Sequence, residues 1–197
     1  ARGRAQGRHG HRGLRSLVLI AGIAVAVGLR VAIGSPSPAA SMPAGAVFAV
    51  VLLGLAAGAG WRAGRPRLGA ALLGVAGAAV LVVAWLTAHP GMPIDLAPVN
   101  GAIALWTPVV AIVAIAEEVV LRGVLFDAVR DWGGVGWALV ATTVLFALIH
   151  LPLYGAGSLP LDLAVGLLLG GLRIVSGGVL APAAAHVIAD LAGGWLL

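Results

Sequence analysis

From Leu14 to the last residue the chain is a succession of apolar runs, cut by short breakers rich in proline, glycine or arginine. Most runs approach the roughly 20 residues a helix needs to cross a hydrocarbon layer. The 197 residues are 61% hydrophobic and 10% charged, with mean hydropathy +1.09. A soluble domain is roughly 45–50% apolar and about 25% charged. These values predict an all-α, polytopic transmembrane bundle of about seven spans and leave no room for a soluble second domain. Zero cysteines exclude disulfides, thiolate metal sites and a cysteine nucleophile.

Residues 1–13 are rich in Arg, Gly and His without apolar periodicity, which predicts a basic, disordered tail containing His9 and His11. Residues 14–197 form one transmembrane domain. Its spans are expected near 14–33, 44–60, 68–88, 101–130, 135–150, 161–174 and from 179 onward. The first run is longer than the 7–15 residues of a signal-peptide core, which favours a retained span. The Ser35-Pro36-Ser37-Pro38 stretch and the proline-rich segment from His89 to Asn100 read as loops. The chain opens on Ala1 rather than methionine, which leaves room for a preceding segment.

All twelve basic residues are arginines, and five lie in the first fifteen positions. No aromatic interleaving accompanies them, so they read as topology determinants at an anionic lipid surface rather than a nucleic-acid site. The tail, the Arg62–Arg67 loop, Arg130 and Arg173 fall at alternate span ends, so all can face the cytoplasm. The expected localisation is therefore the plasma (inner) membrane with a cytoplasmic N-terminus. Arg30, near the far end of the first span, is the exception.

Against this background Glu117, Glu118 and Arg122 stand out. A carboxylate at membrane depth costs about 2.5–3.5 kcal/mol on insertion scales. Two in succession suggest use. Glu118 and Arg122 are four apart and share a helix face, whereas Glu117 is turned about 100° away. Arginine can hold one carboxylate while the other faces a different wall as a general base. A buried ion-pair knot would explain Glu118 and Arg122 but would leave Glu117 without a partner. His150 ends the fifth run, and His186 and Asp190 share a face of the last. From the expected cytoplasmic ends, Glu117 lies roughly 20 Å deep, His150 roughly 24 Å and His186 roughly 10 Å. The three meet only if spans tilt or start off-level. A glutamate and a histidine can activate water toward an amide carbonyl, with a polar pair on the oxyanion. Alternatively, two histidines and a carboxylate can bind a divalent metal. Ser158 and Ser176 fall in loops, which argues against a serine nucleophile.

The ordered trio Glu117-Glu118-x-x-x-Arg122, Phe146-x-x-x-His150 and His186-x-x-x-Asp190 resembles the CPBP intramembrane proteases, the CAAX prenyl endopeptidases and their bacterial relatives, also called the Abi family. Gly166 to Gly170 adds to the likeness, which covers residues 101–197. The resemblance implies an intramembrane metalloendopeptidase acting on membrane-associated peptide or protein substrates. Glu117 would be the base and His150 its partner on the water. Glu118 and Arg122 would organise the site, and His186 with position 190 would stabilise the oxyanion. In the metalloprotease reading, His150, His186 and Asp190 would hold a divalent metal such as zinc. Many members carry asparagine where this chain has Asp190, and an ionised aspartate cannot donate to an oxyanion. Two rivals remain: a non-catalytic membrane scaffold or bacteriocin-immunity protein, and a proton-coupled transporter. The absence of an evident inverted repeat weighs against the transporter.

Overall fold

A computed structural model describes residues 2–34, 38–88 and 101–195. The described residues are helical apart from short connections, the longest of them at 59–67. Helices α1 (Arg2–Ile33), α2 (Pro38–Gly58), α3 (Leu68–Ala88) and α4 (Gly101–Glu118) come first. A π-helical segment, Val119–Leu125, joins α4 to α5 (Phe126–Tyr154). A short 3₁₀ turn, Ala156–Ser158, leads to α6 (Leu159–Ser176), and α7 (Leu180–Trp195) closes the chain. The expected loop from His89 to Asn100, with Asp95, lies outside the described residues, as does Ser35–Ser37.

Four described helices are long and apolar enough to cross a membrane: Gly13–Ile33, Ser41–Gly58, Leu68–Thr87 and Ala156–Ser176. The other expected spans depart from that standard for identifiable reasons. The run from α4 into α5 carries the motif charges. It is divided only at Gly134, whose φ of 83° and ψ of 175° leave the helical region. A side chain there would be strained, so one glycine takes the place of the expected four-residue turn. Helix α7 has 16 residues, a rise of about 24 Å against a hydrocarbon core of about 30 Å. At the other end, α1 starts at Arg2, inside the stretch expected to be disordered. Arginine is a good helix former, and extending an existing helix avoids the cost of nucleation.

Helix α7 occupies the middle of the packing, touching α3, α4 and α6, while α5 runs along α6 and α1. Helices α1 and α2 form a pair that leans on α4 and α5. Small residues permit the tightest crossings. A Cβ on Gly74 of α3 would lie 2.8 Å from the Ala181 carbonyl oxygen and 2.6 Å from the Ala184 Cβ of α7. Such crossings gain dispersion contact where lipid offers no hydrophobic drive between helices.

The radial distribution is that of a membrane protein. Leu17, Leu68, Leu72, Val140, Leu148, Leu167 and Val175 point outward. Glu117, Glu118, Arg122, Thr142, Thr143, Asp162, Arg173 and His186 are buried. Arg122 heads the largest fully buried side chains. The arginine-rich ends also gather at one end of the bundle. Arg15 donates to the Ala59 carbonyl (2.9 Å), Trp132 Nε1 to Ser16 (3.2 Å), and Arg173 to Asp127 (2.8 Å).

Candidate active site

The site is built outward from the junction of α4 with the π-helical segment. Val119–Leu125 is buried at every position, and the Phe126 N–H reaches the Leu121 carbonyl five residues back. Such segments are uncommon in helices and concentrate at functional sites. Arg122 Nη1 donates to Glu118 Oε1 at 2.7 Å, with both side chains fully buried. Its Nη2 donates to the Gly166 carbonyl at 3.2 Å, and its guanidinium lies 4.7 Å over the Phe146 ring. Gly166 is close to Thr143 of α5, where a Cβ would meet the Thr143 Cα at 3.2 Å. Thus the Gly166-to-Gly170 stretch brings α6 near enough for its backbone to receive Arg122.

Glu118 Oε1 also accepts from His186 Nδ1 at 3.1 Å. A carboxylate on Nδ1 fixes that nitrogen as a donor, so Nε2 is the nitrogen left for other groups. His150 is oriented differently: its Nδ1 lies 2.8 Å from the Phe146 carbonyl oxygen. A carbonyl only accepts, so Nδ1 carries the proton and Nε2 faces inward as an acceptor. Both Nε2 atoms lie 3.9 Å from one oxygen, Glu117 Oε2. Phe146 packs against both rings, at 4.4 Å from His150 and 5.5 Å from His186. The three sequence motifs therefore converge.

By depth alone His186 is the least comfortable member of the set, and the structure explains why it fits. Val179 lies against the plane of Gly123, whose added Cβ would be 3.4 Å from Val179 Cγ2. Helix α7 thus begins well inside the bundle. Seven residues from Val179 to His186 climb about 10 Å, the same direction and scale as Gly123 back to Glu117.

Asp190 occupies a looser position. Its side chain is 43% exposed, and Oδ2 lies 3.5 Å from His186 Nε2. It contacts the very nitrogen an oxyanion would need. The metal set expected from the resemblance, His150, His186 and Asp190, shares only that contact. Among the described residues, no three His, Asp or Glu side chains converge as a metal site requires.

One member of the site lies outside the motifs. Arg30 of α1 reaches Glu117 Oε1 at 3.4 Å and lies 4.8 Å over Phe48 of α2. Glu117 therefore has a partner, contrary to the expectation that an ion-pair knot would leave it alone. Its two oxygens are divided, one toward Arg30 and one toward the histidines. The sequence did carry a signal: Arg30 is the one arginine misplaced for topology.

A cavity of about 790 Å³ adjoins this cluster. Arg30, Phe146, His150, His186 and Asp190 line it, and Tyr154, Ser158 and Asp162 lie on its wall. Most of the remainder is apolar, including Val80, Trp85, Trp106, Val109 and Leu168. Tyr154 stacks on His150, with centroids 5.7 Å apart.

Fold and site together define a polytopic helical membrane protein with a buried Glu–Glu–Arg–His–His cluster beside an apolar cavity. Residues 99–192, just under half of the chain, match the family described as type II CAAX prenyl endopeptidase Rce1-like. That stretch, which holds the Glu117–Arg122, His150 and His186 motifs, is what is similar to the family. No curated protein and no solved structure matches it.

Proposed function

We propose that the protein is an intramembrane endopeptidase that hydrolyses peptide bonds of membrane-associated substrates with water activated by Glu117. The observation that carries this reading is the placement of His150 Nε2 and His186 Nε2 at equal distances, 3.9 Å, from Glu117 Oε2. A water about 2.8 Å from the carboxylate and from a histidine nitrogen bridges such a gap. In this reading Glu117 takes a proton from the water while His150 Nε2 orients it. The hydroxide oxygen bonds to the carbonyl carbon. The C–N bond then breaks, and the amine leaves with the proton first taken by Glu117. His186, held by Glu118 at Nδ1, presents Nε2 to the oxyanion when that nitrogen bears a proton. Asp190 orients His186, a role an ionised aspartate can fill. Arg122 is a positioning residue that holds Glu118 and the α6 backbone.

No step is routed through a metal. Burial of the site supports substrates drawn from the membrane, and the arginine-rich end of the bundle is assigned to the cytoplasm by charge. The test is cleavage of membrane-embedded peptides by the purified protein in lipid, wild type against Glu117→Gln, each with and without chelator. Cleavage by wild type alone supports the protease. Loss with chelator returns a metal to the site. No cleavage by either folded protein overturns the proposal.

The Arg30–Glu117 pair favours one second reading, a non-catalytic scaffold or immunity protein in which all four charges are a structural knot. That reading expects Glu117→Gln to lose stability and no turnover to be found.

A further inference from the structure

Asp162 is a buried acid that the water-activating cluster does not use. It is 8% exposed, it lines the cavity, and its Oδ2 has no hydrogen-bond partner among the described residues. A buried polar atom left unsatisfied calls for a specific explanation. Its place in the first turn of α6 gives one, because helix N-termini favour acids. That explanation does not account for its direction. A dipole contact is met equally well by an acid facing outward. Here the flanking Leu161 and Leu163 point outward, at 52% and 38% exposure, and the acid points in. Asp162 belongs to the inward stripe of α6 with Gly166, Leu169, Gly170 and Arg173. It lies one turn, about 6 Å, from Gly166 on the same face, and the Gly166 carbonyl receives Arg122.

The other charges on the cavity wall are already matched. Arg30 faces Glu117, and Asp190 faces His186. Asp162 is the carboxylate left over.

We infer that Asp162 forms a cation-accepting subsite in the cavity, so that the site selects substrates carrying a lysine or arginine side chain. The inference rests on the protease reading for its substrate, but the subsite itself is a binding property. An ammonium or guanidinium would supply the hydrogen bond that Oδ2 lacks, in surroundings of low dielectric where a charged bond is stronger than in water.

The experiment uses the full chain in lipid and a matched peptide panel with lysine or its neutral near-isostere norleucine at each position around the cleaved bond. Wild type is expected to prefer lysine by tenfold or more in kcat/KM at one position. Asp162→Asn brings that ratio close to one, and Asp162→Glu retains part of it. In parallel, backbone-methylated versions that resist cleavage are titrated, with binding read from fluorescence of Trp85 and Trp106 in the cavity wall. The lysine version is expected to bind tighter to wild type, and the difference to vanish in Asp162→Asn. Cleavage with no Asp162-dependent preference in either assay overturns the subsite and leaves the protease. Preferential binding without any cleavage keeps the subsite and overturns the protease.

Discussion

Replacing Arg122 by methionine tests whether the buried pair organises the core. The substitution keeps a long side chain and removes the charge. In the native protein Glu118 Oε1 accepts from Arg122 at 2.7 Å and from His186 at 3.1 Å, and neither member of the pair is exposed. The variant leaves Glu118 buried with His186 still donating to it. It also takes the donor from the Gly166 carbonyl and the guanidinium from the Phe146 face. Breaking one side of a buried pair costs about 3–5 kcal/mol, because the other charge stays buried. Stacking on Phe146 adds about 0.5–2 kcal/mol. The stranded charge outweighs the lost stacking, so the expected loss is at least ~3 kcal/mol. Glu118→Met is expected to cost a comparable amount. The double variant, with no buried charge left at this position, is expected to recover at least half of the summed losses. The assay is equilibrium unfolding in mixed micelles, followed by tryptophan fluorescence. A loss below ~1 kcal/mol for Arg122→Met would refute the reasoning. So would a double variant that shows the simple sum, since residues in contact must couple.

Three further outcomes are expected. Glu117→Gln lowers kcat by about 10²–10⁴, the usual worth of a positioned base; a folded variant with wild-type turnover would remove Glu117 from the chemistry. Because the chain has no cysteine, single cysteines report topology directly: one at Arg65 and one at Ser158 are expected to react with an impermeant maleimide from opposite sides of sealed vesicles. Labelling from the same side would refute the orientation. Gly74→Leu forces a side chain where a Cβ already meets the Ala181 carbonyl at 2.8 Å, and is expected to cost about 1–3 kcal/mol or more, read by the same unfolding assay; no loss would mean α3 and α7 do not cross there.

The sequence was most legible where chemistry is expensive. Charges in an apolar run cannot be placed without consequence, so Glu117, Glu118, Arg122, His150 and His186 declared themselves, and the helix carrying each followed from run length. Less legible was anything set by packing between runs. The π-helical segment at Val119–Leu125 leaves no compositional trace, since its residues suit an ordinary helix equally well. The start of α7 inside the bundle depends on Val179 meeting Gly123, a contact between residues 56 positions apart. Depth counted from span ends therefore misplaced His186. Asp162 lies in the first turn of α6, and its inward direction follows from how α6 is rotated against α5, which no residue pattern announces.

Arg30 shows how far the site exceeds its motifs. The family match covers residues 99–192, and the first three helices contribute no motif residue. Yet α1 places a guanidinium 3.4 Å from Glu117, and α2 supplies the Phe48 face on which that guanidinium rests. Helix α3 packs along α7, the helix that carries His186 and Asp190. An arginine on a transmembrane helix is as costly as a glutamate, and the pairing of Arg30 with Glu117 offsets both. The same contact constrains the chemistry. One oxygen of Glu117 is engaged by a cation and the other faces two histidines, so in the proposed mechanism proton transfer has a single oxygen to use. The N-terminal helices thus do more than cover the motif core: under the proposed mechanism they set which edge of Glu117 faces the substrate.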